Sequence, residues 1–250
     1  MNEQFITAPN LPQNRVSRVL VSGYRPQIIS ELKKNGINTM TFGRLESIGG
    51  SEAYHADMSF CHTGGNRIFI SCNAPQNIKD VLRLSGAELY ETKAPVTAQR
   101  PLLNICIFGK NVLANTCLAE KSLIDMLKAS GHRIIHTNQG YTKCSCAVVN
   151  NNALITSDEG IYKLCLENKI DVLKIKSGHI ELDGYKYGFI GGCCGFVSQK
   201  TLAFSGNIRL HPDYKSIRAF SANYGIDLLS LSEEPLYDIG GILPIKEYHE

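Results

Sequence analysis

A strand–turn–strand–helix–strand unit that recurs along nearly the whole length constrains this chain more than its composition does. The stretches SFCHTGGNRIFIS (59–71), NICIFGKNVLANT (104–116), SCAVVNNNALITS (145–157) and CGFVSQKTLAFSG (194–206) each hold two short apolar runs about a polar turn. Their turns, TGGN, GKN, NNN and SQK, supply the Gly, Asn and polar residues of a tight hairpin, where φ > 0 must be cheap. The starts recur about every 45 residues, a period typical of stacked supersecondary units.

Each hairpin is followed by a helical pattern: 74–86, 118–131, 158–169 and 211–225. Ile78, Val81, Leu82 and Leu84 lie near one face of the first, and Leu118, Leu123, Ile124 and Leu127 share one face of the second. Gly86, Gly131 and Gly225 stand where helices stop, and Asp158 stands as an N-cap. A further apolar run then follows each helix, at 87–92, 132–137, 170–176 and 226–231. A fifth copy is split across the ends. SRVLVSG (17–23), a helix over 25–36 and INTMTFG (37–43) lack a first strand, and YDIGGILPIKE (237–247) supplies one. Lending the last strand to the first unit closes a ring and removes an exposed sheet edge. The expectation is a single α/β domain over 1–250 of five ββαβ units. Residues 1–14 are expected as an arm over the surface, and 177–190, around LDGY, as an inserted hairpin.

Composition narrows the setting. Basic and acidic residues nearly balance, 26 against 23, and the basic ones are scattered, which argues against a nucleic-acid partner. No apolar run approaches the roughly eighteen residues of a membrane span, and MNEQFITAPNLPQNR lacks the pattern of a secretory signal. Nine cysteines, an odd number without an export signal, point to free thiols in a cytoplasmic protein. No metal or other cofactor is implied, and the pattern assigns no oligomeric state.

Five ββαβ units with a borrowed closing strand resemble the pentein, or α/β-propeller, fold. The resemblance extends to its guanidino-group-modifying branch: arginine and agmatine deiminases, dimethylarginine dimethylaminohydrolases and amidinotransferases. It covers about residues 15–248. It implies a central channel in which carboxylates grip a guanidinium, a histidine moves protons and a cysteine attacks the guanidinium carbon. In YHADMSF, Asp57 falls about where that family places a gripping carboxylate, with His55 on the same strand face. GYTKCSC resembles the strand carrying the family histidine, with Tyr141 at that position. YDIGGILPI resembles the family's glycine-rich cysteine strand, with Leu243 and Pro244 in the cysteine's neighbourhood. The two residues of the usual mechanism are therefore not in their usual places.

Cys144 is the first choice of nucleophile, with Lys143 either depressing its pKa from the strand head or anchoring a ligand. C-x-C spacing disfavours zinc, and i,i+2 cysteines in a strand lie too far apart for a disulfide. GGCCGFV resembles the Cys-Cys pair of the dimethylaminohydrolases, making Cys193, then Cys194, the other candidates. His179, Glu181 and Asp183 alternate on the inserted segment, where Glu181 is placed as a ligand-binding flap residue. Asp238 is placed beside Asp57 to suit a cation, and His62 at a solvated turn. Each cysteine also has the plainer role of a small core residue. No Walker, GxGxxG, HExxH or GxSxG motif occurs. The function expected is a Cys-dependent hydrolase or transferase acting on a small guanidino, amidino or cationic amino-acid-like ligand in the channel. The alternative is a non-catalytic scaffold that binds a small molecule, a protein or the ribosome.

Overall fold

The computed structural model describes residues 2–249 and contains five small sheets. Four have three strands and one plan. In the second unit Phe60–His62 runs antiparallel to Arg67–Ile70, and the helix Gln76–Leu84 returns the chain to Glu88–Glu91, parallel to Arg67–Ile70. The third unit repeats this with Cys106–Phe108, Asn111–Ala114, the helix Lys121–Ala129 and Arg133–His136. The fourth uses Cys146–Asn150, Ala153–Thr156, Glu159–Glu167 and Asp171–Lys174. The fifth uses Cys194–Ser198, Thr201–Phe204, Tyr214–Ala222 and Asp227–Ser230. In the first, Val16–Ser22 lies parallel to Asn38–Phe42 across the helix Pro26–Lys34 and antiparallel to the closing strand Ile242–Tyr248. The split unit and its borrowed strand are as the sequence pattern predicts.

Local chemistry explains the punctuation. Asp158 Oδ1 accepts the amide of Ile161 at 2.8 Å, an N-cap that satisfies one of the helix's free donors. Four helices are followed by glycines at positive φ, from +69° at Gly225 to +92° at Gly86, and Lys169 takes that place after the fourth at +58°. The first strand of each unit is almost wholly buried, whereas third strands such as Glu88–Glu91 and Asp171–Lys174 are half-buried with exposed ends. The first strands therefore line a common axis. Where the fifth and first units meet, a Cβ on Gly195 would lie 1.7 Å from the Ile242 carbonyl oxygen, so only glycine fits.

Two segments differ from expectation. The N-terminal arm does not lie loosely over the surface. Glu3–Phe5 adds a fourth strand outside the closing strand. Beyond it Ile6 is fully buried, Asn10 Nδ2 donates to the Ile107 carbonyl at 2.9 Å, and the amides of Gln13 and Asn14 bond the buried Glu247 carboxylate. The arm caps one end of the channel because the edge of the closing strand offers it a ladder of unpaired groups. Segment 177–190 is not a hairpin. Its ordered pairing is one parallel bridge, Glu181 with Tyr237, and the rest is an irregular strap. Ile180 and Leu182 alternate inward between exposed His179, Glu181 and Asp183, but this short run pairs with the segment before the closing strand: the Glu181 amide bonds the Leu236 carbonyl and the Asp238 amide bonds the Glu181 carbonyl. Among the described residues no helix is long and apolar enough to cross a membrane.

Candidate active site

The segments that lead into the first strands carry the polar residues of the axis. They are not extended. Ala56–Ser59 and Thr142–Ser145 are single helical turns, and His55 is the residue before the first of them. The strand-face argument for His55 with Asp57, and for Lys143 against Cys144, therefore does not hold. Four-residue turns redirect the chain from the rim to the axis and are too short to show a period.

The ring nevertheless brings the second and fourth units together. Cys144 Sγ donates to Asp57 Oδ2 at 3.0 Å. Both are enclosed, Cys144 at 2% and Asp57 at 1% relative exposure. Asn104, at the head of the third unit, completes the contact. Its Nδ2 lies 2.9 Å from Cys144 Sγ and 3.2 Å from the Asp57 carbonyl oxygen. Its Oδ1 accepts the amides of Lys143 at 2.8 Å and Cys144 at 3.2 Å. Sequence reasoning passed over this residue, though it has the same signal as Asp57: a polar side chain just before an inner apolar strand.

Asp238, from the segment before the closing strand, is buried. Its Oδ1 accepts the Gly240 amide at 3.0 Å and its Oδ2 the Phe189 amide at 2.8 Å. His55 Nδ1 stands 3.6 Å from Asp238 Oδ1. Space for Asp238 exists because Gly192 has no side chain; a Cβ there would come 2.0 Å from Oδ1. Lys143 Nζ donates to the Gly191 carbonyl at 3.1 Å. Asp57 Oδ1 and His55 Nε2 are buried and have no hydrogen-bond partner among the described residues.

The electrostatics reverse one expectation. Cys144 is held well above the ordinary thiol range, first by burial and then by the charges of Asp57 and Asp238. Lys143 does not bring it below that range: its ammonium bonds the Gly191 carbonyl, and the net direction for the thiol is up. Burial likewise raises Asp57, with His55 and Lys143 opposing. Burial pulls Lys143 down, but the Asp57 charge and neighbouring thiols outweigh it and the net direction is up. The resting site thus holds a thiol that donates to a carboxyl, beside a charged lysine.

Other candidates fall elsewhere. Cys193 Sγ bonds the Ile190 carbonyl at 3.2 Å inside its own turn, and Cys194 is buried with its thiol pushed up to about 12. Both fill core. The Glu181 side chain is exposed and, with His179 and Lys186, lines an outer cleft of about 550 Å³ that does not reach Asp57 or Cys144. His62 is not solvated: it is buried and its Nε2 bonds the Gly65 carbonyl at 2.6 Å, because the arm closes over that turn. Tyr141 donates to the Ala98 carbonyl and stacks on Phe189 at 6.4 Å. Among the described residues no cluster of His, Cys, Asp and Glu has the geometry to hold a metal ion.

The strap packs over Asp238, where a Cβ on Gly188 would come 2.4 Å from the Asp238 Cβ. Tyr24 Oη donates to Asp183 at 2.7 Å, Ser51 Oγ to the Asp183 carbonyl at 3.1 Å and Tyr185 Oη to Glu52 at 2.6 Å. On the arm side, a cavity of about 20 Å³, the size of one water, lies against Asp57, Lys143, Asn10 and His62.

Solved structures share this architecture. The inosamine-phosphate amidinotransferase of Streptomyces griseus superposes with a TM-score of 0.62 over 98% of this chain and 97% of its own, at 10% identity. An amidinotransferase of the saxitoxin pathway from Microseira wollei gives 0.58 at 12% identity, over 91% of both chains. DDAH from Pseudomonas aeruginosa, complexed with citrulline, gives 0.55 at 11% identity, over 93% of this chain and 99% of its own. Among curated proteins no sequence match was found. The fold is that of the guanidino-group-modifying enzymes, the five-unit pentein propeller. Residues 20–243 match the model of a family of unknown function, DUF6873, and the chain belongs to that family.

Proposed function

We propose that the protein is a cysteine-dependent hydrolase or transferase acting on a small guanidino, amidino or cationic amino-acid-like ligand. Cys144 is the nucleophile and Asp57 its proton acceptor. The observation that carries this reading is the 3.0 Å contact between Cys144 Sγ and the Asp57 carboxyl, in a buried group where Asp57 Oδ1 and His55 Nε2 have no hydrogen-bond partner among the described residues. Buried polar atoms are rarely left unpaired, and these two suit the N–H groups and the leaving nitrogen of a planar cation. The names of the structural neighbours, amidinotransferase and agmatine deiminase, belong to the same chemistry.

Thiol and carboxyl perform this reaction with a balanced proton count. A bound cation favours the thiolate, so Asp57 takes the Sγ–H proton. The S–C bond forms at the amidino carbon. The C–N bond to the departing amine then breaks as Asp57 returns the proton to that nitrogen. Water or an acceptor amine attacks the S-linked carbon, gives a proton back to the site and frees Cys144. Asp238 and His55 hold the far side of the ligand. The strap lifts to admit it, since Cys144 is enclosed at rest. That enclosure, with a cavity of one water, is also what favours the second reading, a non-catalytic binding scaffold.

Chloroacetamidine separates the two. Of the nine free thiols, Cys72 and Cys117 are exposed and serve as internal standards. The enzyme reading expects Cys144 to be labelled faster by chloroacetamidine than by iodoacetamide, relative to those standards, and agmatine or arginine to slow that labelling. Equal ratios for both reagents, with no protection, would sink it.

A further inference from the structure

We propose that Asn104 is a positioning residue that aims Cys144 and stabilises its thiolate, an inference that rests on Cys144 being the nucleophile. The amide is locked in one orientation. The backbone N–H groups of Lys143 and Cys144 both point at it, and only an oxygen can accept them, at 2.8 Å and 3.2 Å. Oδ1 therefore faces the helical turn, and Nδ2 is forced to the opposite side. There it meets Cys144 Sγ at 2.9 Å and the Asp57 carbonyl oxygen at 3.2 Å. The residue is 1% exposed, and its own backbone is fixed from both directions: its amide bonds the Pro101 carbonyl and its carbonyl accepts the Thr142 amide.

Among the described residues Nδ2–H is the one side-chain donor that reaches this sulfur; Asp57 is an acceptor and Lys143 is turned to Gly191. A donor contributes more to a thiolate than to a thiol, so it favours the charged form against the two carboxylates around it. An amide does not titrate and cannot take the proton itself. The roles divide: Asp57 accepts the proton, and Asn104 holds the sulfur that loses it. One side chain from the third unit also ties the turn of the fourth to the turn of the second, which fixes the approach of Sγ to Asp57.

The test follows Cys144 alkylation by iodoacetamide as a function of pH, residue by residue, in wild type and Asn104→Ala. The expected result is a Cys144 profile moved to higher pH, with labelling about tenfold slower near pH 8, one hydrogen bond's worth. Cys146, fully buried and two residues on, should stay protected in both. An unmoved Cys144 profile would overturn the proposal. So would Cys144 and Cys146 becoming reactive together, because that marks Asn104 as a bolt for the turn and nothing more. Should Asn104→Ala not fold, Asn104→Asp keeps an oxygen for the two amides, replaces the donor with an acceptor, and is expected to move the profile the same way. Alkylation needs no turnover. If Cys144→Ser retained activity, the function reading would fail while the assignment of Asn104 to the sulfur would still be read directly.

Discussion

Replacing Asp57 by Asn should move reactivity and activity in opposite directions. The carboxylate oxygen sits 3.0 Å from Cys144 Sγ, close enough to oppose formation of a second negative charge. Two like charges at that separation repel by roughly 5 kcal/mol at an effective dielectric of about 20. The nearby Lys143 and His55 offset part of the Asp57 charge, so only a fraction of the repulsion acts on the thiol. A net gain of about 1.4–2.7 kcal/mol for the thiolate corresponds to roughly ten- to a hundredfold in its population. The assay is iodoacetamide alkylation at pH 8, quenched at intervals and read peptide by peptide. Cys72 and Cys117 provide the exposed standards and Cys146 the buried one. Cys144 of Asp57→Asn should label at least about tenfold faster than in wild type while the standards stay constant. Turnover of any amidino substrate should disappear, because the proton that Asp57 lends to the leaving amine is gone. A Cys144 rate that stays level or falls would show that the carboxyl does not hold the thiol protonated, and the assignment of Asp57 as base would fall with it.

Two further outcomes follow from the same geometry. Burial raises Asp57 above its ordinary 3.8, so the proton it keeps on folding stabilises the fold fully below about pH 3.8, and that contribution is lost as pH climbs through the raised value. Asp57→Asn should therefore melt above wild type at neutral pH and lose that advantage at about pH 3.5; scanning calorimetry showing no pH-dependent difference would contradict the desolvation argument. Removing the strap's ties to Tyr24 and Glu52, with Asp183→Ala combined with Tyr185→Phe, should speed Cys144 alkylation severalfold and leave Cys146 protected, whereas an unchanged Cys144 rate would show that the strap does not guard the site.

The ring was legible in the sequence because its signals are local. Turns such as NNN, the stripe of Leu123, Ile124 and Leu127, and glycine stops such as Gly131 each act within a few residues, and their repetition made the whole pattern visible. The borrowed strand was legible for the same reason: one unit had a piece missing and the C-terminal stretch had a piece to spare. The turns at the heads of the inner strands were not, since the four residues Thr142–Ser145 read equally well as the start of the strand they precede. The thiol's environment was hidden more deeply. Asp57 and Cys144 stand 87 positions apart and Asn104 and Cys144 stand 40 apart, and only ring closure makes them neighbours. Lys143 next to Cys144 in sequence suggested a lowered thiol pKa, but the lysine side chain bonds Gly191, and burial together with the two carboxylates raises the thiol. His62 looked solvated because nothing in its own stretch announces that Ile6 and Asn10 fold over that end of the channel.

The first sheet differs from the other four in how its strands are gathered. Those four draw all their strands from consecutive stretches, whereas the first joins Glu3–Phe5, Val16–Ser22 and Asn38–Phe42 to Ile242–Tyr248. Its closing pair spans most of the chain, the kind of contact that carries the largest loop entropy and forms late. Asp238 and Gly240 travel on the segment that arrives with that last strand. Until it docks, Asp57 and His55 keep their water and their acidic neighbour is absent. The strain of crowding ionisable groups out of solvent thus falls on the final act of assembly, when the greatest number of formed contacts is in place to bear it.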